Sequence, residues 1–127
     1  QSGTKTGILA HLAELDAQAE ERRSASVDNS ANAMKAVAES ERKIWENKLQ
    51  SILEILEQQL SGDEKTAFFT EQRSWVRDRE STAVANSKKQ SGSMLEELEY
   101  IRSLRDLTRE RVYALAEQYE SILDETE

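Results

Sequence analysis

The apolar residues of this chain recur every three or four positions, which is the spacing of one face of an α-helix. Near the N-terminus this pattern predicts a short helix from Ile8 to about Arg23. A second, longer stretch predicts a helix from about Ala31 to Leu60. The two apolar stripes consist of Ile8, Leu9, Leu12, Leu15 and Ala19, and of Met34, Val37, Ala38, Ile44, Trp45, Leu49, Ile52, Leu53, Leu56 and Leu60.

Two polar breaks separate the first three predicted helices. Residues 24–30 are rich in serine and poor in helix formers, so we expect Asp28 or Ser30 to be the N-cap of the second helix. One long bent helix through this region is the alternative. The second break is the run Ser61-Gly62-Asp63. Here Gly62 is predicted to end a helix in the left-handed conformation, and Asp63 to cap the next helix.

Two further helical stripes follow. The third helix is predicted over residues 64–87, and Gly92 lies just beyond its polar end. Ser93 then opens the fourth helix, because Ser93 and Glu96 have the spacing of a capping box in front of an apolar run that ends near Leu123. The predicted buried positions are Ala67, Phe68, either Gln72 or Trp75, Val76 and Ala83, and then Leu98, Ile101, either Leu104 or Leu107, Val112, Leu115, Tyr119 and Ile122.

The short connections between these helices predict how they associate. Long helices joined by a few residues pack side by side in opposite directions. We therefore predict an all-α fold, an antiparallel helical bundle of three long helices plus a shorter N-terminal helix. A length of 127 residues suits a single domain, with residues 1–30 as N-terminal helix and linker and residues 31–123 as the helical core. The apolar stripes would suit a homodimer as well as a monomer.

The composition agrees with a helical chain and excludes several kinds of site. The sequence contains no proline, and although 33% of its residues are charged, the regular apolar spacing argues against disorder outside the termini. Without cysteine the chain can form neither a disulfide nor a zinc–thiolate site. No apolar run approaches the roughly 18 residues of a membrane span. The first residue, Gln1, indicates either a trimmed chain or a mature exported protein whose signal peptide has been removed.

The formal charge of −8 bears on the kind of partner. Binding to a nucleic-acid backbone needs a surplus of lysine and arginine, so we expect no nucleic-acid partner. An acidic protein is suited either to a cationic partner or simply to solubility. The acidity is concentrated in residues 93–127, which hold ten acidic and four basic residues.

One cluster of aromatic and polar residues on the last two predicted helices is a candidate site. Trp75 and Arg79 lie four positions apart and so share a helical face. If the cluster is structural, its arginines pair with Glu80 or Asp106 and its threonine bonds backbone carbonyls, which fixes the register of the helices. If it is functional, tryptophan and arginine are the anchors of a recognition surface. The cluster comprises Trp75, Arg79, Glu80, Thr108 and Arg111.

Nothing in the sequence predicts catalysis. His11 is the only histidine, and it lacks a second metal ligand or a serine and aspartate at any motif spacing. Neighbouring carboxylates such as Glu96 and Glu97 could exchange protons in principle, but on a helix they are typical of a solvated face. We therefore expect no enzymatic activity, no cofactor and no metal site.

Four short motifs occur in order along the chain. The motifs are Trp45-Glu46 followed by Leu49-Gln50, Leu53 and Leu56; Gln72-Arg73-Ser74-Trp75 followed by Arg79-Glu80; Gly92-Ser93; and Leu107-Thr108-Arg109-Glu110-Arg111. Together they resemble the motifs of the LprI-type lysozyme inhibitor family, a set of small, mostly exported bacterial helical domains. The resemblance covers roughly Ala33 to Tyr119.

The chain also departs from the family pattern. Where members of the family usually carry cysteines, near Val37, Ala83 and Ser103, this chain has none. The family's Asn, Tyr and Asp are replaced by Gln50, Leu53 and Glu80. A bundle without disulfides must obtain its stability from packing alone.

The resemblance implies a non-enzymatic binding protein that is periplasmic or secreted. It would occlude a cationic protein partner such as lysozyme, using acidic residues of the last helix or the loop 88–93. Gly92 and Ser93 then join the cluster around Trp75 as candidate recognition residues. The alternative is a helical interaction module of the immunity or adaptor type, without anti-lysozyme activity, whose partner occupies an apolar groove. Binding through charges weakens steeply with salt and binding in an apolar groove does not, so salt dependence distinguishes the two.

Overall fold

The described part of the chain is helical in nearly all of its length. A computed structural model describes residues 7–26 and 28–126. Within these residues no strand is present, and the predicted all-α class is confirmed. The helices are α1 (Ile8–Ala25), α2 (Ala31–Gln59), α3 (Gly62–Lys88), α4 (Glu96–Gln118) and α5 (Glu120–Thr126).

The start of α2 follows from local hydrogen bonding. Ser30 is its N-cap, and the Ser30 side chain accepts a hydrogen bond from the backbone N–H of Ala33 (3.2 Å). Asp28 supports this cap, since its Oδ1 accepts from the backbone N–H of Ser30 (2.9 Å). Both residues proposed as caps therefore act at this helix start, and the alternative of one long bent helix is wrong.

Side-chain pairs give the directions of the long helices. Along α2 and α4, Lys35 meets Glu97 near the start of both helices, and Glu41 meets Arg105 further along both, so these two helices run parallel. The helix between them in sequence, α3, pairs Gln72 with Arg111 and Asn86 with Ser103, so it runs antiparallel to α4. Successive long helices thus alternate in direction, as the short connections predicted.

The N-terminal helix α1 lies antiparallel to α4 and is tied to it at several levels. The backbone N–H of Ile8 donates to Asp124 Oδ1 of α5 (2.7 Å). Further along α1, Asp16 accepts two hydrogen bonds from the guanidinium of Arg109 (both 2.8 Å) and one from the hydroxyl of Tyr113 (2.5 Å). The hydrogen bonds from Arg109 hold the pKa of Asp16 below its usual value, because they outweigh the opposing effect of burial. The hydrogen bond from Tyr113 lowers this pKa further.

All five helices contribute side chains to one apolar core. Trp45 of α2 is 1% exposed, and its ring lies 5.9 Å from that of Tyr113 on α4, centroid to centroid. Phe68 of α3 meets Tyr119 edge to face at 5.6 Å. The buried core members are Ile8, Leu12, Trp45, Leu49, Ile52, Leu56, Leu60, Phe68, Val112, Leu115, Ala116 and Leu123.

Three details of the predicted helix ends are wrong. Gly62 does have a positive φ of 60°, but it is the first residue of α3 and does not end α2, whose C-cap is the extended Leu60. Asp63 is not a cap either. It lies in the first turn of α3, where the positive end of the helix dipole stabilises a carboxylate. The fourth predicted helix is interrupted at Tyr119, beyond which the short α5 begins.

The face of α3 that packs on the bundle is narrower than its apolar residues indicated. Ala67 and Val76 are exposed, Val76 by 42%. Gln72 is buried at 6% exposure, and Trp75 is half-buried beside it. Because α3 packs on α4 along one line of side chains, apolar residues beside that line stay in solvent.

Candidate functional site

Four members of the predicted cluster do come together, in the seam between the antiparallel helices α3 and α4. Trp75 and Arg79 face this seam from α3, while Thr108 and Arg111 face it from α4. The Trp75 ring lies close to two cations, with the Cζ atoms of Arg79 and Arg111 at 4.8 and 5.6 Å from its centroid. Guanidinium groups at this distance from an indole face are attracted by the ring quadrupole.

Arg79 joins three helices through a single nitrogen. Its Nη1 donates to Glu46 Oε2 on α2 (2.8 Å) and to Thr108 Oγ1 on α4 (3.0 Å). Thr108 has no exposed surface, so its hydroxyl depends on this protein partner for hydrogen bonding. We expected Thr108 to bond backbone carbonyls, and the bond found for its hydroxyl is with Arg79 instead.

Arg111 is held just as firmly. Its Nε and Nη2 both donate to Gln72 Oε1, at 3.0 and 2.7 Å, and only 11% of its side chain is exposed. Glu71 Oε1 is a weaker partner at 3.6 Å from Nη2. The Arg111 Cζ also lies 5.8 Å from the Phe68 ring centroid. Gln72 was predicted as a possible core position, and its burial is explained by this bidentate contact.

The ion pairs expected for the two arginines are wrong. Glu80 is exposed and accepts a hydrogen bond from the hydroxyl of Tyr100 (2.8 Å), which raises the pKa of Tyr100. Asp106 pairs with its sequence neighbour Arg105 (2.8 Å). Neither carboxylate meets Arg79 or Arg111. Glu80 follows Arg79 directly in sequence, and adjacent residues on a helix point in different directions.

Gly92 and Ser93 lie in the turn segment 89–95 that joins α3 to α4, apart from this cluster. Gly92 has a φ of 83°, a backbone conformation that is strained in residues with a side chain. The predicted capping box is absent: Ser93 Oγ accepts from the backbone N–H of Leu95 (3.0 Å), and α4 begins only at Glu96. Arg111 lies fifteen residues beyond Glu96, the first residue of α4, which is a rise of about 22 Å at 1.5 Å per residue. The turn segment is therefore far from Arg111.

A second buried polar group was missed by the sequence reasoning. Glu41 of α2 is 1% exposed and is held by two arginines from other helices. Arg23 of α1 donates to Glu41 Oε2 from Nε and Nη2 (3.0 and 2.7 Å), and Arg105 of α4 donates to Oε1 (2.8 Å). The spacing offered a signal, since Glu41 lies four residues from both Val37 and Trp45 on the apolar stripe of α2.

A shallow acidic depression lies at the other end of the α3–α4 seam. It encloses about 360 Å³, and its lining includes the carboxylates of Glu64 and Glu71 and the rings of Phe68 and Tyr119. Burial, together with the charges of Glu64 and Glu71, raises the pKa of Tyr119. Glu64 has no ion-pair partner in the described part of the chain. We refer to this feature as the acidic depression.

In the part of the chain that the structure describes, no group of three or more His, Asp and Glu side chains could hold a metal ion. His11 lies 3.9 Å from Glu14, a single carboxylate. No helix among residues 7–26 and 28–126 is long and apolar enough to cross a membrane.

These observations define a small all-helical protein in which arginines bonded to the buried Glu41, Gln72 and Thr108 hold the helices against one another. A family model described as lysozyme inhibitor LprI matches residues 14–115. The chain therefore belongs to the LprI lysozyme inhibitor family, which confirms the resemblance carried by its ordered motifs. The match begins earlier than Ala33, within α1, and ends in α4. Comparison with curated proteins and with solved structures gave no match.

Proposed function

We propose that this protein is a non-enzymatic, exported inhibitor that binds a cationic protein of the lysozyme class and occludes it. Membership of a family named for lysozyme inhibition supports the class of function. The observation that carries the proposed binding mode is the acidic depression, whose lining combines two carboxylates with two aromatic rings. A periplasmic or secreted location follows from the same proposal.

The acidic depression is suited to a lysine or arginine side chain of the partner. Glu64 and Glu71 are seven residues apart, so they lie on the same face of α3. Their carboxylates would bind the cationic head, while the half-buried ring of Tyr119 would contact its apolar stem and attract its charge. Glu71 keeps only a long contact of 3.6 Å with Arg111, so it can accept a further donor.

Exposed acidic residues of α4 and α5 extend this surface. Glu110 and Glu117 lie seven residues apart on one face of α4, and Glu120 follows in α5. All three are exposed, and none forms an ion pair among the described residues. With a net charge of −8, the chain would attract a cationic partner over a distance and so raise the association rate.

In this proposal, the cluster around Trp75 has a structural role and does not bind the partner. Thr108 is fully buried, and Arg79 and Arg111 are occupied by Glu46, Thr108 and Gln72. A partner could reach Trp75, which is half-buried, but not the hydroxyl of Thr108. We therefore assign the cluster the task of holding α3 in register, so that Glu64 and Glu71 meet Tyr119.

The alternative function, an interaction module with an apolar contact, is favoured by a different observation. In the turn segment 89–95, Met94 is 79% exposed and Leu95 is 41% exposed. Adjacent exposed apolar side chains on a loop are typical of an interaction site. The alternative would place the partner on this loop rather than on the acidic depression.

Calorimetric titration against a panel of lysozymes, at low salt and at about tenfold higher salt, tests the proposal together with a cell-wall lysis assay. The expected result is salt-sensitive binding and loss of lysis. The double variant Glu64→Gln/Glu71→Gln should weaken binding by at least about tenfold. The control Glu21→Gln/Glu54→Gln removes the same charge from exposed positions on α1 and α2 and should leave the affinity within about twofold.

Three outcomes would contradict the proposal. Absence of binding at micromolar concentrations to every lysozyme would remove the inhibitor function. Binding that is insensitive to salt would remove the role of the acidic surface. Binding that is lost in Met94→Ser/Leu95→Ser but kept in Glu64→Gln/Glu71→Gln would assign recognition to the loop instead.

A further inference from the structure

Arg102 of α4 is a half-buried cation without a carboxylate partner. The bond found for its guanidinium runs from Nη2 to the thioether sulfur of Met34 on α2, at 3.9 Å. It forms no ion pair among residues 7–26 and 28–126, although every other arginine on α4 has one. A thioether is a weak acceptor, so most of the donor capacity of this partly desolvated group is unused.

A cavity lies directly beside Arg102. It has a volume of about 190 Å³ and is formed by the end of α1, the first turns of α2 and the middle of α4. Met34, Val37 and Ala38 of α2 form its apolar wall. Arg102 and Arg105 line it from α4, and Arg102 adjoins the apolar wall at Met34. The lining therefore combines apolar side chains with cationic ones.

The carboxylates that border the cavity do not neutralise Arg102. Glu41 is fully used by Arg23 and Arg105, which bond both of its oxygens. Asp28 is the other acidic residue at the rim, and its Oδ1 accepts the backbone N–H of Ser30. The lining contains three arginines and two acids, and Arg23 and Arg105 also pair with Glu20 and Asp106. Arg102 is therefore the one arginine of the lining without a carboxylate partner among the described residues.

We infer that this cavity binds a small organic carboxylate with a short branched aliphatic group. The carboxylate would accept two hydrogen bonds from the guanidinium of Arg102, the geometry in which arginine binds carboxylates most strongly. The aliphatic part would contact Val37 and Ala38. At about 30 Å³ per water molecule, the volume corresponds to roughly six waters, which a ligand of about seven non-hydrogen atoms replaces.

The proposed site is separate from the acidic depression in both position and charge. It uses α1, α2 and α4, whereas the acidic depression lies between α3 and the end of α4. A ligand of about seven non-hydrogen atoms is expected to bind with a dissociation constant on the order of 1 mM. The test therefore needs a method suited to weak binding and does not depend on any protein partner.

Backbone-amide NMR titration of the whole chain with isovalerate is the direct test. The expected result is a saturable shift of amides next to Met34 and Arg102. The uncharged isostere isovaleramide and the smaller anion acetate should each bind at least about tenfold more weakly, because one lacks the charge and the other the aliphatic contact. Inorganic phosphate at equal concentration tests whether any anion suffices.

Variants distinguish the contribution of the Arg102 charge to binding from that of the cavity volume. Arg102→Gln should weaken isovalerate binding by at least about tenfold, and Arg102→Lys should retain part of the affinity. Val37→Phe should abolish binding by filling the cavity while the charge of Arg102 remains. The matched control is Arg77→Gln, which alters an exposed arginine on α3 that donates a hydrogen bond to Ser74 (3.2 Å), and it should leave binding unchanged.

The inference is overturned if isovalerate produces no saturable shift up to about 50 mM, some fifty times the expected dissociation constant. It is also overturned if isovaleramide binds as tightly as isovalerate, or if Arg102→Gln binds like the unaltered chain. Tighter binding of phosphate than of isovalerate would replace the carboxylate with a general anion site. Circular dichroism of each variant checks that the helices are intact before the comparison.

Discussion

Glu41 of α2, with 1% of its side chain exposed, accepts a 2.8 Å hydrogen bond from Arg105 of α4 in the middle of the bundle. The other carboxylate oxygen is bonded by Arg23 of α1, so one buried acid joins three helices. Burial by itself would lower the pKa of Arg105, but the hydrogen bonds that its guanidinium donates to Asp106 and Glu41 outweigh this effect, so the pKa of Arg105 is raised. This chain lacks cysteine, and the triad is one of the contacts that hold α1 and α4 on α2.

Removing the buried carboxylate should destabilise the fold. Glu41→Gln removes the buried charge that Arg23 and Arg105 share and leaves Arg105 with only the exposed Asp106 as an ion-pair partner, so we expect the free energy of unfolding to fall by about 3 kcal/mol. Urea denaturation followed by circular dichroism measures this change. Glu21→Gln, on the exposed face of α1, is the control and should stay within about 0.5 kcal/mol. A loss of stability no larger than the control's would show that the triad adds nothing.

The hydroxyl of Thr108 should contribute to the seam between α3 and α4. Thr108→Val preserves the shape of the side chain but removes the acceptor for Arg79, so we expect a loss of about 1–2 kcal/mol in the free energy of unfolding. Thr82→Val on the exposed part of α3 makes the same chemical change outside the seam and should be nearly neutral. Equal effects of the two substitutions would contradict the role given to this bond.

Acid should weaken the attachment of α1 through Asp16. Its pKa in the folded chain lies below the usual value of 3.8, so the ionised carboxylate stabilises the fold above the unfolded pKa. This contribution is lost as the pH falls through the folded pKa, below about 4. Asp16→Asn should therefore reduce stability at neutral pH and flatten the acid limb of a stability–pH profile measured by urea denaturation. Asp78→Asn, at an exposed position on α3, should leave that limb unchanged.

The turn before α4 should require glycine at position 92. A Cβ at Gly92 would meet nothing within 4 Å, so space is not the limitation, but the φ of 83° is unfavourable for any other residue. Gly92→Ala should cost about 1 kcal/mol of stability, while Ser91→Ala beside it should cost almost nothing. Thermal unfolding of the two variants compares them. A neutral Gly92→Ala would mean that the turn can adopt another conformation.

Much of the helix layout could be predicted because helical periodicity is a local signal. Ser30 caps α2, as its residue type predicted. The apolar stripe from Trp45 to Leu56 is buried, as its helical spacing predicted. The boundaries near Gly62 and Ser93 were wrong. There the chain chooses among several turns of similar local energy, and the packing of α3 and α4 decides between them.

The candidate cluster was predicted in its membership but not in its pairing. Trp75 and Arg79 were placed on one face by a spacing of four, whereas Glu80 beside Arg79 points elsewhere and bonds Tyr100. The true partners of Arg79, on α2 and α4, are separated from it by 33 and 29 residues. No periodicity within one helix contains such a relationship.

By itself, the sequence determined the all-α class, the four main helical stripes, the family and the absence of any disulfide, because each of these depends on residue type and local spacing. Only the tertiary structure decided that Glu41 is a buried acid between two arginines, that Val76 remains in solvent and that Arg102 faces a cavity. These outcomes depend on which helices share a face and at what register. That arrangement is set by the packing of the whole bundle, which brings together side chains that lie far apart along the chain.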